Sequence, residues 1–349
     1  MYMDYLNSTQ PIEAISLVVE TSTVWEVILG ITGFTHAQLR HTFELDELWK
    51  SQQTSMPELL IKHLDVIEQT NFWFGLIMLQ EKFAATSISD FSKYLSEMNS
   101  SDFYETVLPY KDRITEPVRK AVAKQYKQGE SFETYASYFH DHDYLEEYVR
   151  YLGYYKHSEI CNLFNSILDE WYNWVRKNVQ WEKWTRALDF EQKQHNSLDK
   201  DKSIELIELI TGGVKYVPEP SIWTVKLIPQ VTYRPWTLVV RTPDTKLYFY
   251  PLKEEYLIEA GTPTMELIRG HKALGDEVRL KILYQLVNRA SSLQDLSTQF
   301  NISKTTLHHQ LSLLKAAKFI QVDKGVYSAN LPQINSFSER LAQYLEKPI

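Results

Sequence analysis

The chain has 349 residues, of which 44% are hydrophobic and 23% charged, the composition of an ordinary folded protein with room for two or three domains. Its single cysteine, Cys161, excludes a disulfide within the chain and fits a reducing, cytoplasmic setting. The formal net charge of -8 argues by itself against a nucleic-acid partner, the longest strongly apolar run ("FWFGLIML", Phe72 to Leu79) is too short to cross a membrane, and the opening "MYMDYLNSTQ" has neither the basic start nor the apolar stretch of a signal peptide.

Taken in chain order, "PIEAISLVVE" (residues 11–20) reads as a strand, and "STVWEVILGITGF" as a helix that starts at a Ser/Thr cap. From about Pro57 to Glu191 apolar residues recur every three or four positions, which predicts several helices punctuated near Pro57, Pro109, Pro117 and Gly129. Within this region "FHDHDYLEEY" carries His140, Asp141, His142 and Asp143. Such side chains fan out on a helix and can converge on a metal in a loop, but the spacing matches no established ligand pattern, and a solvated helix start is the plainer reading. "WYNWVRKNVQWEKW" sets Trp171, Trp174, Val175 and Trp181 near one helical face. That is a packing stripe, or the wall of an apolar pocket with Tyr154, Tyr155 and Arg176 as its polar groups. Cys161 shares the apolar positions of "EICNLFNSIL" and is read as buried rather than redox-active. "HNSLDKDKS" (His195 to Ser203) is a polar connection, followed by a short helix at "IELIELI".

From Val214 to Ile258 β-formers and prolines dominate. "TPDTK" (Thr242 to Lys246) between two alternating runs predicts a hairpin, hence a small antiparallel β-sheet. "AGTPT" (Ala260 to Thr264) is the best domain boundary. After it the charge balance reverses: residues 262–349 carry 11 Lys and Arg against 7 Asp and Glu, whereas residues 1–261 carry 26 against 38.

"MELIRGHKALGDEVRLKILYQLVNR" predicts two helices meeting near Gly275, the second with Val278, Ile282, Leu283 and Leu286 as its buried stripe. Ser292 and Asp295 form a capping-box start for a short helix with Leu293, Leu296 and Phe300 on one face. "NIS" is a tight turn, and Ser303 caps the next helix, residues 303–317. "FIQV" and "VYSA" flank "DKG", a hairpin with Gly325 available for positive φ. This order is that of a winged helix-turn-helix. On the second helix Leu307, Leu311 and Leu314 go inward. Lys304, Thr305, His308 and Ser312 point outward, with His309 and Lys315 at the flanks, a polar face suited to phosphates and base edges in a major groove. His308 and His309 point about 100° apart on a helix and are poor joint ligands for one metal.

The stretch from "KALGDEVRLKIL" to "KGVYSA" resembles the ArsR-type winged-helix transcriptional regulators, over about 65 residues. The resemblance implies that Lys304, Thr305, Thr306, His308 and His309 lie at or near DNA, that Lys324 of the wing lies by the backbone, and that a homodimer reads an inverted repeat in double-stranded DNA. It does not carry over metal sensing. The Leu293–Phe300 segment has no cysteine, and "INSFSERLAQYLEKPI" has no histidine. That last segment places Ile334, Phe337, Leu341 and Leu345 at helical spacing, a packing or dimer element. Segments of the long N-terminal region are similar to larger ArsR-type regulators, which says little about its role.

The sequence therefore predicts a mainly α protein, α+β overall. Residues 1–261 form a helical regulatory or ligand-sensing domain, and residues 262–349 a winged helix-turn-helix. No nucleotide-binding, hydrolase or protease motif occurs, so no enzyme, cofactor or metal is expected. The expected function is transcription regulation through Ser303, Lys304, Thr305, Thr306, His308, His309, Ser312, Lys315 and Lys324, with a small-molecule effector possible and no membrane partner. The rival is a ligand-binding or catalytic N-terminal domain whose winged helix serves protein–protein contact.

Overall fold

The structure is a computed structural model that describes residues 15–36, 38–178, 180–196, 203–253 and 263–346. The chain divides into two compact units. One is drawn from positions up to 37 and from 47–252, the other from 38–46 and 253–349. The expected polar connection at His195–Ser203 and the boundary at Ala260–Thr264 fall mostly on residues 197–202 and 254–262, outside the described ones, as do the first residues of the strand expected at 11–20. Among the described residues no helix is long and apolar enough to cross a membrane.

In the first unit, β1 (Ser16–Val19) leads into α1 (Thr23–Thr35), capped as expected by Ser22, whose hydroxyl accepts from the Trp25 amide at 3.2 Å. Every residue of α1 after Thr23 is buried, so the helix is enclosed on all sides. Its two interior hydroxyls, Thr32 and Thr35, donate to the carbonyls of Ile28 and Ile31, both at 2.8 Å, and leave no orphan donor. The helices that follow are α2 (Asp46–Gln52), α3 (Glu58–Thr70), α4 (Trp73–Phe83), α5 (Ile88–Glu97), α6 (Ser100–Val107), α7 (Glu116–Lys124), α8 (Gly129–Ala136), α9 (Leu145–Tyr154), α10 (His157–Val175), α11 (Trp181–Asn196) and α12 (Ser203–Thr211). Of these α3, α4, α5 and α10 surround α1.

The tryptophan stripe is core. Trp171 is fully buried and meets Phe34, Trp49 and Trp174 with ring centroids 5.4, 6.1 and 5.1 Å away. The pocket reading of that stripe fails on geometry. Tyr154 and Tyr155 precede α10, Arg176 follows it, and a helix of 19 residues keeps them about 28 Å apart. Cys161 is half-buried rather than fully buried. Its sulfur lies 3.4 Å from His157 Nε2, and burial pushes the thiol up to about 11, which keeps it protonated.

The sheet contains β2 (Thr224–Gln230), β3 (Leu238–Arg241) and β4 (Thr245–Pro251) in the order β1-β2-β4-β3. The hairpin at "TPDTK" is present, with Leu238 opposite Phe249 and Arg241 opposite Lys246. The rest of the sheet departs from the antiparallel expectation: β1 runs parallel to β2, and β2 parallel to β4. These pairings join strands far apart in sequence, which no turn residue announces. Pro229 sits inside β2 without breaking it. The carbonyl of Leu227 faces β1, so position 229 faces the same way, beyond the point where β1 ends. Leu17, Val19, Val225, Leu227, Tyr248 and Tyr250 pack against Ile207 and Ile210 of α12.

The second unit holds α13 (Met265–Leu274), α14 (Glu277–Asn288), β5 (Ser291–Ser292), α15 (Leu293–Phe300), α16 (Lys304–Ala316), β6 (Ile320–Asp323), β7 (Val326–Ala329) and α17 (Leu331–Glu346). Its core gathers Ile282, Leu283, Leu286, Leu296, Leu307, Leu311, Leu314 and Phe337, so the stripes read from sequence converge. β6 and β7 form an antiparallel hairpin whose tip, Lys324 and Gly325, has φ of 47° and 77°. β5 pairs with β7 on its other side. Phe337 anchors α17 against α13, where Gly270 lets the ring approach: a Cβ there would stand 2.1 Å from Phe337 Cε2. Leu345, expected on that same face, is exposed instead. The molecule is therefore mainly α with a small share of β, as its periodicity predicts.

Candidate nucleic-acid interface

Three helices set the geometry. Asp276 caps α14 by accepting from the Arg279 amide at 2.9 Å. Ser292 and Asp295 close a reciprocal capping box at the start of α15, and the hydrogen bonds from Ser292 hold the Asp295 carboxyl below the usual carboxylate range. Between α15 and α16 the turn is Asn301, Ile302 and Ser303. Asn301 adopts a left-handed conformation (φ 52°) that asparagine tolerates. Its amide and that of Ile302 both donate to Ser297 O, while the Ser297 hydroxyl donates to Ile302 O at 2.7 Å. Ser303 then caps α16 by accepting from the Thr306 amide at 3.1 Å.

On α16, Leu307, Leu311 and Leu314 are buried, as their spacing requires. Ser303, Lys304, Thr305, Thr306 and His308 are exposed. Two of these hydroxyls are committed locally, since Ser303 Oγ and Thr306 Oγ1 lie 2.8 Å apart. Among the described residues the side chains of Lys304, Thr305 and His308 have no hydrogen-bond partner, so they are available to a ligand. Lys324 is exposed at the hairpin tip. Lys315 is exposed, yet the protein around its ammonium lowers its pKa by desolvation.

The second half of α16 differs from the sequence expectation. Ser312 is buried, not outward-facing. Helix geometry alone turns it about 140° from Leu307, away from the core. What covers it is the short segment 38–46, which belongs to this unit although it lies far upstream in the chain. A tight 3-10 turn (Arg40–Thr42) brings His41 over His309, with ring centroids 4.2 Å apart, and sets His41 Nε2 3.5 Å from Ser312 Oγ. The Ser312 hydroxyl donates to His309 O at 2.8 Å. The segment is fastened by Glu44, whose carboxylate accepts from Arg269 Nη2 at 2.5 Å, and is braced internally by Arg40 and Asp46 at 3.1 Å. His309, expected at the flank of the outward face, is exposed, and its ring already lies against that of His41 at an interplanar angle of 32°.

A second residue escaped sequence reading. Arg279 donates to Ala273 O at 2.7 Å, to Lys272 O at 2.9 Å and to Gln310 Oε1 at 2.9 Å, joining the end of α13 to α14 and to α16. It fixes the angle of the exposed helix from behind. In the sequence it looks like any solvated arginine beside an apolar stripe. The His-Asp cluster is also placed. His140 and Asp141 pair at 3.0 Å on the surface, and among the described residues no three such groups converge to hold a metal ion.

The family model for bacterial regulatory proteins of the arsR family matches residues 276–322, the stretch from the cap of α14 through α15 and α16 into the first hairpin strand. No curated protein and no solved structure matches the chain. The helix-turn-helix in residues 276–322 is therefore of the ArsR type.

Proposed function

We propose that the protein is a sequence-specific DNA-binding transcriptional regulator without catalytic activity. In this reading α16 enters the major groove, the β6–β7 hairpin acts as a wing along the backbone, and two copies on a two-fold axis read an inverted repeat with half-sites about 10 base pairs apart. The observation that carries it is the unpartnered polar set Lys304, Thr305 and His308, exposed on a capped helix whose Leu307, Leu311 and Leu314 are buried in an ArsR-type helix-turn-helix. Lysine suits phosphate or guanine, and threonine and histidine suit base edges or phosphate.

The segment 38–46 supports modulation from the N-terminal part of the chain. It occupies the outer face of α16 at His309 and Ser312, where a groove-bound helix needs clearance. DNA engagement along the whole helix then requires it to move aside, while Lys304, Thr305, Thr306 and His308 stay accessible.

The test starts with selection of bound sequences from random duplexes by the purified full chain, followed by titration of the selected site and a scrambled one. Lys304→Ala should weaken both equally if the ammonium meets phosphate, and should erode the preference for the selected site if it meets a base. His41→Ala combined with Glu44→Ala should tighten binding several-fold. A protein that enriches no sequence would end the proposal, and a double variant that binds more weakly would make the segment a buttress rather than a cover.

A further inference from the structure

The N-terminal unit contains a cavity of about 390 Å³ between the loop after α6, the turn that precedes α9, and β3. The size falls in the range of small-molecule sites. Its wall is largely aromatic, built by Tyr110, Tyr138, Phe139 and Tyr144, and the "FHDHD" motif that drew attention in the sequence lies on its rim. Two cations stand among these rings. Arg241 Cζ is 4.9 Å from the centroid of Tyr110 and is held there by Glu219 at 3.3 Å. Lys111 Nζ is 6.0 Å from the Tyr138 ring and 5.9 Å from Phe139, and donates to the Tyr138 carbonyl. Among the described residues Lys111 has no carboxylate within ion-pair distance, and the hydroxyls of Tyr110, Tyr138 and Tyr144 have no hydrogen-bond partner.

These features select a ligand. Aromatic walls favour a flat ring, by stacking or edge contact. A cationic guest is disfavoured, because Lys111 and Arg241 already lie against the ring faces that would hold it and would repel it. The one acid on the rim, Asp141, is paired with His140. The remaining demand is for negative charge beside Lys111, with phenolic hydroxyls free to donate to it. We propose that this cavity binds a planar aromatic carboxylate of one or two rings.

Titration calorimetry of the full chain without DNA tests this separately from the duplex reading. The probes are 1-naphthoate, the matched neutral 1-naphthamide, and benzyltrimethylammonium. Naphthoate is expected to bind once per chain, at least ten-fold tighter than the amide, with the ammonium silent. Lys111→Gln should lower naphthoate affinity at least five-fold and leave the amide unchanged. Val239 lies on the wall and is exposed, so Val239→Trp fills the space without disturbing the core and should abolish binding of both arenes. Equal affinity for carboxylate and amide, preference for the ammonium, no response to either variant, or no arene binding at all would each overturn the proposal.

Discussion

Lys324 holds a backbone conformation that asparagine or glycine would hold more cheaply. With φ of 47° it precedes Gly325 at the tip of the β6–β7 hairpin, in a turn that needs two successive left-handed residues. A lysine there costs about 1 kcal/mol. A cation at the tip is explained if it meets a phosphate, and the two effects separate in one variant. Lys324→Asn should raise stability by up to about 1 kcal/mol in urea unfolding, weaken binding to every duplex by a similar factor, and reduce the salt slope by about one. Unchanged affinity would remove Lys324 from the interface. Glu26 makes a second residue-level case. Buried in α1, its carboxylate accepts from the amides of Val231 and Thr232 at 3.0 and 3.1 Å, and burial raises its pKa to about 7. The folded state then keeps a proton that the unfolded chain releases above the ordinary glutamate value, so its contribution to stability falls as pH rises through about 7. Glu26→Gln leaves an amide nitrogen facing a backbone N–H and should destabilise at pH 5. The gap to the native protein should shrink by roughly 2 to 3 kcal/mol by pH 8. A constant gap across that range would show that burial does not control this carboxyl.

Between elements, the packing of α17 against α13 includes one close approach. Gly270→Ala would drive a methyl to 2.1 Å from Phe337 Cε2, and the ring cannot retreat freely because Phe319 lies edge-on at 5.2 Å. Overpacking of this kind costs typically 1–3 kcal/mol. The variant should lower the melting temperature of the second unit, and adding Phe337→Leu should restore part of the loss. Gly270→Ala melting like the native protein would mean α17 packs elsewhere. The glycine was not legible as a packing residue, because "IRGHK" carries no sign of the ring that lies beside it. Local devices were legible: Ser22, Ser292 with Asp295, Ser303 and Gly325 each act within a few residues of chain, and each stands where the sequence places it. Pairings over long separations were not. The parallel partners of β2, the hold of Arg279 on Gln310, and the cover of Ser312 by residues 38–46 all depend on chain that only folding brings near.

Across the whole molecule, charge is the property on which the duplex reading stands or falls. The chain totals -8, with the surplus of acids in residues 1–261 and the surplus of bases in residues 262–349. That asymmetry was visible in the sequence. Which bases can reach a duplex was not, since it depends on burial. Lys304, Lys315, Lys318 and Lys324 are exposed on α16, just after it and on the hairpin, whereas Arg269 and Arg279 are largely buried and committed to protein partners. About four phosphates per copy is then the most this surface can neutralise with lysines. Each phosphate contributes about -0.9 to the slope of log affinity against log salt. The expected slope is about -3 to -4 per protomer, measured by fluorescence anisotropy on the selected duplex from low to moderate salt. An acidic body makes the fall shallower, because lowering salt strengthens its repulsion of the duplex along with the lysine contacts, within a Debye length of about 10 Å. A slope near zero would mean no counterions leave the DNA. The exposed polar face of α16 would then have to meet protein instead, and the N-terminal unit would carry the activity.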